Sequence, residues 1–342
     1  MADLLAVPAA RRDAIARLAA ALRPGMTVAL STHINADGDG CGSQTALARL
    51  LAQMGVRAVI VNPTPWPELF RWLLGDDVED RTADGAAALA RVDRLIVLDI
   101  SDVRRLGVLA DAVRALPQDA LVIDHHLPGE EPPGATMLAD TAACATAELV
   151  FDFARERGLT ISTPIAKSLY TALVTDTGGF RFGNTSPRCL AVAAELLSAG
   201  VDPEQMYARI YGSVPLGRLH LLRDALDTLQ VDRPHGIAWV RVQAGALEKH
   251  GVSSEDLDGV AEYPRSVAGV RLALLFRDLG HGKVKISFRS VQGVNVNALA
   301  RVFGGGGHAR ASGAMVVGAL DEVETRVLTE ARRLLETGQL AD

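Results

Sequence analysis

Residues 27–39 read Thr27-Val28-Ala29-Leu30-Ser31-Thr32 and then His33-Ile34-Asn35-Ala36-Asp37-Gly38-Asp39, an apolar strand running straight into an imidazole and two carboxylates. In an open parallel sheet, ligands collect in the crevice beyond the carboxyl ends of the strands, where His33, Asp37 and Asp39 would sit. Gly38 and Gly40 suit a tight turn that brings the side chains flanking Gly38 to one site. A helix is expected from Ser43 to Met54, with Gly42-Ser43 as its start. Two carboxylates this close repel, and a dication removes the conflict. Taken alone, Asp-Gly-Asp-Gly reads equally well as a surface turn beside a bystander histidine.

The stretches on either side decide between these. From Thr27 to about Asp140, short β-branched runs at 27–32, 57–61, 94–98 and 120–123 alternate with helical patterns at 43–54, 67–74 and 103–114. That alternation predicts an α/β fold with a doubly wound parallel sheet. Two of the strands end in acid. Leu95-Ile96-Val97-Leu98 stops at Asp99, which by itself reads as a helix cap. Leu121-Val122-Ile123 stops at Asp124-His125-His126, a triplet with few structural uses. Helices are expected at about 143–157 and 164–175, the second broken by Gly178-Gly179 so that Asp176 lies at its end, where the helix dipole disfavours a carboxylate.

Residues 187–230 carry leucines at helical spacing and read as helical throughout, the later part a connecting helix. Beyond Val231 the texture changes to strands at 236–242, 270–276 and 283–289. A helix near 295–303, the run Gly304 to Gly313, a strand at 314–317 and an amphipathic helix at 321–336 follow. The expected organisation is therefore a first domain over 1–200, a helical linker over 201–230, and a smaller α/β domain with a mixed sheet over 231–342.

The 342 residues are 49% hydrophobic with a net charge of −6, a globular composition without the basic surface of a long-duplex binder. Charge is uneven. Residues 265–310 carry eight basic residues against the single Asp278, which suits a local anion-binding surface. Three cysteines without Cys-x-x-Cys spacing argue against a disulfide framework or a zinc ribbon. The N-terminal segment reads as an amphipathic helix (Ile15, Leu18, Leu22) interrupted by arginine rather than a signal peptide, and no apolar run approaches a membrane span. The expected location is cytoplasmic.

His33, Asp37, Asp39, Asp99, His125 and Asp176 form one candidate cluster, with Asp124 and His126 beside it. Four carboxylates are offset by two divalent ions. Mixed oxygen and imidazole donors suit manganese better than calcium, with zinc and iron as open alternatives. Gly304 to Gly307 read either as a flexible linker or as unobstructed N–H groups around an anion. His308 and Arg310 follow them directly.

In H-x-x-x-D-x-D at 33–39, Asp99, Asp124-His125-His126, Thr175-Asp176-Thr177-Gly178 and the Gly304 to Gly313 segment, nearly the whole chain resembles the DHH phosphoesterase superfamily with its DHH-associated C-terminal domain. The resemblance implies one metal on His33, Asp37 and Asp99 and a second on Asp39, Asp99, His125 and Asp176, with Asp99 bridging. It further implies that Asp124 orients an imidazole, that His126 faces the substrate phosphate, and that Asp99, Asp124 and His126 are the catalytic set. Gly305, Gly306, Gly307 and His308 would grip the nucleotide across a cleft, with Arg289 as their partner and Arg181 a weaker one. Relatives usually have Pro where Ala36 stands, which costs no ligand.

What the resemblance implies is a manganese-dependent hydrolase acting on very short oligonucleotides, dinucleotides or the nucleoside bisphosphate pAp. Aromatic content of 4% disfavours a long stacking groove. An enzyme for linear or cyclic dinucleotide messengers shares every motif. An inorganic pyrophosphatase shares the metal residues but departs after residue 230, and a decayed binding module would have lost ligands that are all present. A homodimer is compatible with the pattern, and no membrane partner is expected.

Overall fold

The β-branched runs of the first 140 residues are strands that all pair in parallel. The computed structural model describes residues 3–257, 259–291 and 293–341 and divides into two units between Ser213 and Val214. Strands of the first unit are β1 (Thr27–Ser31), β2 (Arg57–Ile60), β3 (Glu79–Asp80), β4 (Arg94–Leu98), β5 (Leu121–Asp124) and β6 (Thr136–Ala139). Its helices are α1 (Ala9–Ala20), α2 (Gly38–Gln53), α3 (Ala86–Leu89), α4 (Ala110–Arg114), α5 (Thr146–Glu156), α6 (Thr163–Asp176), α7 (Pro187–Ser198) and α8 (Pro203–Ile210).

The strand order is β3-β2-β1-β4-β5-β6. The chain winds outward from β1 to β3 and then crosses back to β4, so winding reverses between β1 and β4, and the crevice at such a switch point is where ligands bind. His33 follows β1 and Asp99 follows β4. Apolar side chains fill both faces: Leu30, Ile96 and Ile123 pack on the side of α2, α5 and α6, and Ala29, Val97 and Leu106 on the other.

Several elements differ from expectation. Helix α2 begins at Gly38, not Ser43, with Asp37 as its N-cap. Gly38, Gly40 and Gly42 therefore lie in its first turns, and their lack of side chains serves close packing rather than a turn. A Cβ at Gly38 would lie 2.3 Å from Thr175 Oγ1, and one at Gly42 2.4 Å from the Ser168 carbonyl oxygen. The stretch at 68–73 is a 3₁₀ helix, and 103–114 is a 3₁₀ segment leading into α4. The region 187–230 is broken into separate helices, with Pro203 and Pro215 at the starts of two of them. Strands β3 and β6 carry no continuous apolar run to announce them.

Helix α1 buries Ile15 and Leu18 as its pattern suggests, but it also buries Arg11. That guanidinium donates to Asp140, Glu148 and Asp152, each at 2.7 Å. Arg188 joins the same carboxylates of Glu148 and Asp152. Buried charges of this kind are tolerable because each is paired and hydrogen-bonded.

The second unit contains α9 (Leu216–Leu226), β7 (Gln230–Asp232), β8 (Ile237–Val242), α10 (Ala246–His250), α11 (Glu262–Arg265), β9 (Leu272–Asp278), β10 (Lys283–Ser290), α12 (Val296–Val302), β11 (Gly306–Gly307), β12 (Ala311–Val317) and α13 (Leu320–Glu336). Its sheet has the order β11-β12-β10-β9-β8-β7 and is mixed, because β8 and β9 run parallel while the other pairs are antiparallel. Val284, Ile286 and Phe288 of β10 point to one face, packed with α12 and α13. Leu275 of β9 and Val240 and Val242 of β8 pack on the other, with Leu221 and Ala225 of α9. No helix among the described residues is long and apolar enough to cross a membrane. Cys41, Cys144 and Cys189 are buried free thiols.

Candidate metal centre

The cluster is built from the carboxyl ends of β1, β4 and β5 and the ends of three helices. Leaving β1, the chain presents His33. Its Nδ1 lies 2.9 Å from the Ile34 carbonyl oxygen and donates to it, which leaves Nε2 as the lone-pair nitrogen. That Nε2 is buried without a hydrogen-bond partner and lies 3.6 Å from Asp37 Oδ2 and 3.5 Å from Asp99 Oδ2. His125, one residue past β5, repeats the arrangement. Its Nδ1 faces the Ala143 carbonyl at 3.2 Å, and its partnerless Nε2 lies 3.6 Å from Asp99 Oδ1, 3.6 Å from Asp176 Oδ2 and 3.8 Å from Asp39 Oδ2.

Asp99 is central to both groups. Oδ2 faces His33 and Oδ1 faces His125, so the one carboxylate spans the two. Its backbone has φ +64°, a left-handed conformation that a non-glycine residue adopts at a cost and that Asp tolerates better than most. The amide N–H is held by the Ile123 carbonyl of β5. Strain of this kind persists where surroundings over-determine it, as at functional sites.

Three further contacts fix the acids. Asp37 Oδ1 accepts from the N–H groups of Asp39 and Gly40, each at 3.0 Å, which caps α2 and leaves Oδ2 toward His33. Asp39 accepts from Ser43 Oγ at 2.9 Å and from the N–H groups of Thr146 and Ala147, at 2.6 and 3.1 Å. Those two amides open α5, so the helix end helps hold this buried negative charge. Thr146 Oγ1 donates to Asp99 Oδ1 at 3.0 Å, and Asn184 Nδ2 donates to Asp176 Oδ2 at 3.2 Å. Ser43, one turn along α2 from Asp39, and Thr146 and Asn184, which lie outside the motifs of the acids they hold, are positioning residues.

Electrostatics express the crowding. Burial, then repulsion from Asp99 and Asp176, pushes the Asp39 carboxyl well up. Burial also raises Asp176 to about 6, the attraction of His125 opposing and the charges of Asp99 and Asp37 adding. For His33, burial lowers the pKa, but the neighbouring carboxylates of Asp37 and Asp99 outweigh it and push it up to about 10. Asp99 resists burial through His33, His126 and His125 and is lowered to about 2. A site whose neutral state requires borrowed protons is one that dications would satisfy.

The residues fit such ions. Two orphaned, buried Nε2 atoms face carboxylate oxygens at 3.5–3.8 Å. Ligands about 2.1 Å from one ion stand roughly 3–3.5 Å apart, so these spacings are those of a donor set and not of hydrogen bonds. His33–Asp37–Asp99 and Asp39–His125–Asp176 form two such sets, and Asp99–His125–His126 a third overlapping one. His126 Nδ1 donates to Asp124 Oδ1 at 2.8 Å, so the imidazole that Asp124 orients is that of His126.

Arg181 is exposed, with Nε on the Gly178 carbonyl at 2.6 Å. In the second unit, Arg289 on β10 is half-buried and lies 3.3 Å from Glu262. The glycine run is neither a linker nor an open N–H cradle throughout. Gly304 and Gly305 donate to the Arg301 and Ala300 carbonyls, and Gly306 and Gly307 pair with Gly313 and Ser312 as β11. A Cβ at Gly305 would lie 2.1 Å from the Gly313 carbonyl oxygen. Glycine is thus required there by close backbone approach. His308 is exposed at the turn between β11 and β12.

A parallel sheet with an acid–imidazole cluster at its switch point defines a metal-binding α/β protein. The family model for the DHH family, N-terminal domain, matches residues 27–173, and that for the DHHA1 domain matches 238–337. The bifunctional oligoribonuclease and PAP phosphatase NrnA of Thermus thermophilus is 33% identical over 310 residues, 90% of this chain and 89% of that one. The protein of the same name from Bacillus subtilis is 28% identical over 312 residues, 90% of this chain and 94% of that one. The chain belongs to the DHH family. Among solved structures, an exopolyphosphatase-related protein from Bacteroides fragilis is similar with a TM-score of 0.88 at 26% identity, covering 96% of this chain and 98% of that one.

Proposed function

We propose that the chain is a metal-dependent phosphoesterase that hydrolyses very short oligonucleotides to mononucleotides and removes a phosphate from 3′-phosphoadenosine 5′-phosphate. Support comes from the name of its relatives and, above all, from one observation: two histidine–carboxylate sets that share Asp99 through its two oxygens. His33, Asp37 and Asp99 would hold one divalent ion, and Asp39, Asp99, His125 and Asp176 a second. The mixed oxygen and imidazole donors favour manganese. Bound there, the ions would supply Lewis-acid stabilisation of phosphoryl charge and lower the pKa of water.

The protein's own groups have separate tasks. Nδ1 of His33 and of His125 is committed to a carbonyl, which keeps each Nε2 unprotonated once an ion is present. Asp124 accepts from His126 Nδ1 and orients the ring, and His126 would face a substrate phosphate oxygen. Burial lowers the His126 pKa, but its hydrogen bond to Asp124 and the charge of Asp99 outweigh this and raise it. A protonated imidazole suits an anionic substrate. In the second unit, Arg289 and His308 would grip the nucleotide.

Product analysis on a length series of oligonucleotides, with 3′-phosphoadenosine 5′-phosphate and linear and cyclic dinucleotides alongside and manganese added, tests this function. Turnover should fall steeply beyond a handful of residues. Equal efficiency on a long single strand, or preference for a cyclic dinucleotide, overturns the substrate class.

A further inference from the structure

On the face of the second unit's sheet opposite α12 and α13, Lys285 of β10 stands directly across from Arg277 of β9. Side chains in that relation have Cβ atoms about 5 Å apart, and like charges so placed are destabilising. Neither cation is relieved. Among the described residues, Arg277 and Lys285 make no ion pair or hydrogen bond through their side chains. Ser287 lies two residues along β10 on the same face. A shallow pocket opens here, lined by Arg277, Lys285, Ser287 and Arg289 from the sheet and by Ser254 and Glu262 from the segment that covers it.

The lining is therefore basic and hydroxylated. Its one acidic side chain among the described residues, Glu262, is already shared between Arg265 at 2.5 Å and Arg289 at 3.3 Å. Two adjacent strands that spend stability on facing cations, in a concave and half-open place, need an anion to recover it. Arg supplies a planar fork and Lys a point charge, a combination suited to phosphate oxygens.

We propose that Arg277 and Lys285, with Ser287, form an anion subsite that takes a phosphate or pyrophosphate group of a nucleotide, without any metal ion. Arg289 lines the same pocket, but its guanidinium is engaged by Glu262. It is independent of the metal centre, so its failure would leave the hydrolytic function untouched, and the reverse.

The test is calorimetric titration of the full chain in excess EDTA with inorganic pyrophosphate, adenosine 5′-monophosphate and adenosine. Pyrophosphate and the monophosphate should bind and adenosine should not. The double variant Arg277→Gln, Lys285→Gln should weaken binding roughly ten- to a hundredfold, as loss of charged hydrogen bonds does. With no ligand present, it should melt no lower than the wild type, because a repulsion has been removed. Lys285→Gln alone, at an exposed position without a partner, gives a second reading in the same direction. The proposal is overturned if the wild type binds neither phosphate compound. It is equally overturned if adenosine binds as tightly as its monophosphate, or if the variants bind as the wild type does.

Discussion

The two units solve one electrostatic problem with opposite signs. In the first, four carboxylates converge on a buried crevice at the ends of parallel strands. In the second, Arg277, Lys285 and Arg289 line up on a half-exposed sheet face. Neither arrangement is favourable by itself. The difference lies in what each leaves unpaired. The acidic cluster contains buried imidazole nitrogens with no hydrogen-bond partner, each facing carboxylates with which it could share a cation. On the basic face the Arg and Lys side chains offer only donors, and its one carboxylate among the described residues, Glu262, is already shared between Arg265 and Arg289. Like charges gathered by a fold identify the sign of the missing partner, and burial sets how strongly it is required.

The largest expected effect breaks the acidic half. Asp99→Asn should remove the shared carboxylate from both donor sets, lowering metal stoichiometry from two per chain and reducing kcat/KM by about a thousandfold, the upper range for loss of one electrostatic stabiliser. Asn also tolerates positive φ, but three imidazoles hold the Asp99 charge favourably, so the metal-free variant should melt below the metal-free wild type. A variant that keeps two ions and full activity contradicts the bridging role.

The next separates the halves by function. Arg289→Ala or His308→Ala should leave metal content intact and raise KM for nucleotides, with kcat/KM falling roughly ten- to a hundredfold. A small activated phosphodiester with no second phosphate should be hydrolysed almost as before. If His308→Ala abolishes that reaction, His308 takes part in the chemical step and the division of labour fails.

A smaller loss should follow from the groups that hold the acids. Thr146→Val removes the hydroxyl that donates to Asp99, and metal affinity should drop about tenfold, as for other residues that orient ligands. Thr146→Ser, which keeps the hydroxyl, should restore it. Equal affinities in the valine and serine variants would make Thr146 a packing residue only.

The smallest effect concerns pH. In metal-free protein the folded-state pKa values of Asp39, Asp176 and His33 are all raised. The fold therefore binds more protons than the unfolded chain. For Asp176 that stabilising contribution is lost as pH rises through about 6, and for His33 as it rises through about 10. The metal-free protein should lose melting temperature from pH 5 to pH 9, and the gap to the manganese-loaded protein should widen by about a few degrees. A gap that narrows over this range contradicts the signs.

Much of the site was legible because its residues close short motifs at strand ends. His33-x-x-x-Asp37-x-Asp39, Asp99 and Asp124-His125-His126 each follow a β-branched run, and strand direction alone carries them to one edge of a parallel sheet. The start of α2 was misplaced for a physical reason: three glycines signal a turn in sequence, while in the fold they admit the close approach of α6. The same confusion affects Gly304 to Gly307, where missing side chains serve strand pairing against β12.

Sequence by itself determined the alternation that makes a doubly wound sheet, the identity of the six acid and imidazole residues that meet at its switch point, and the basic texture of 265–310. Only the tertiary structure decided that Asp99 turns one oxygen to each histidine, that the end of α5 grips Asp39, that Arg11 is buried among acids, and that Arg277 faces Lys285 unpaired. The reason is that motifs record which residues lie near one another along the chain. Pairing, orphaned atoms and strained backbone depend on strand register and helix docking between segments a hundred residues apart, and no local pattern encodes those.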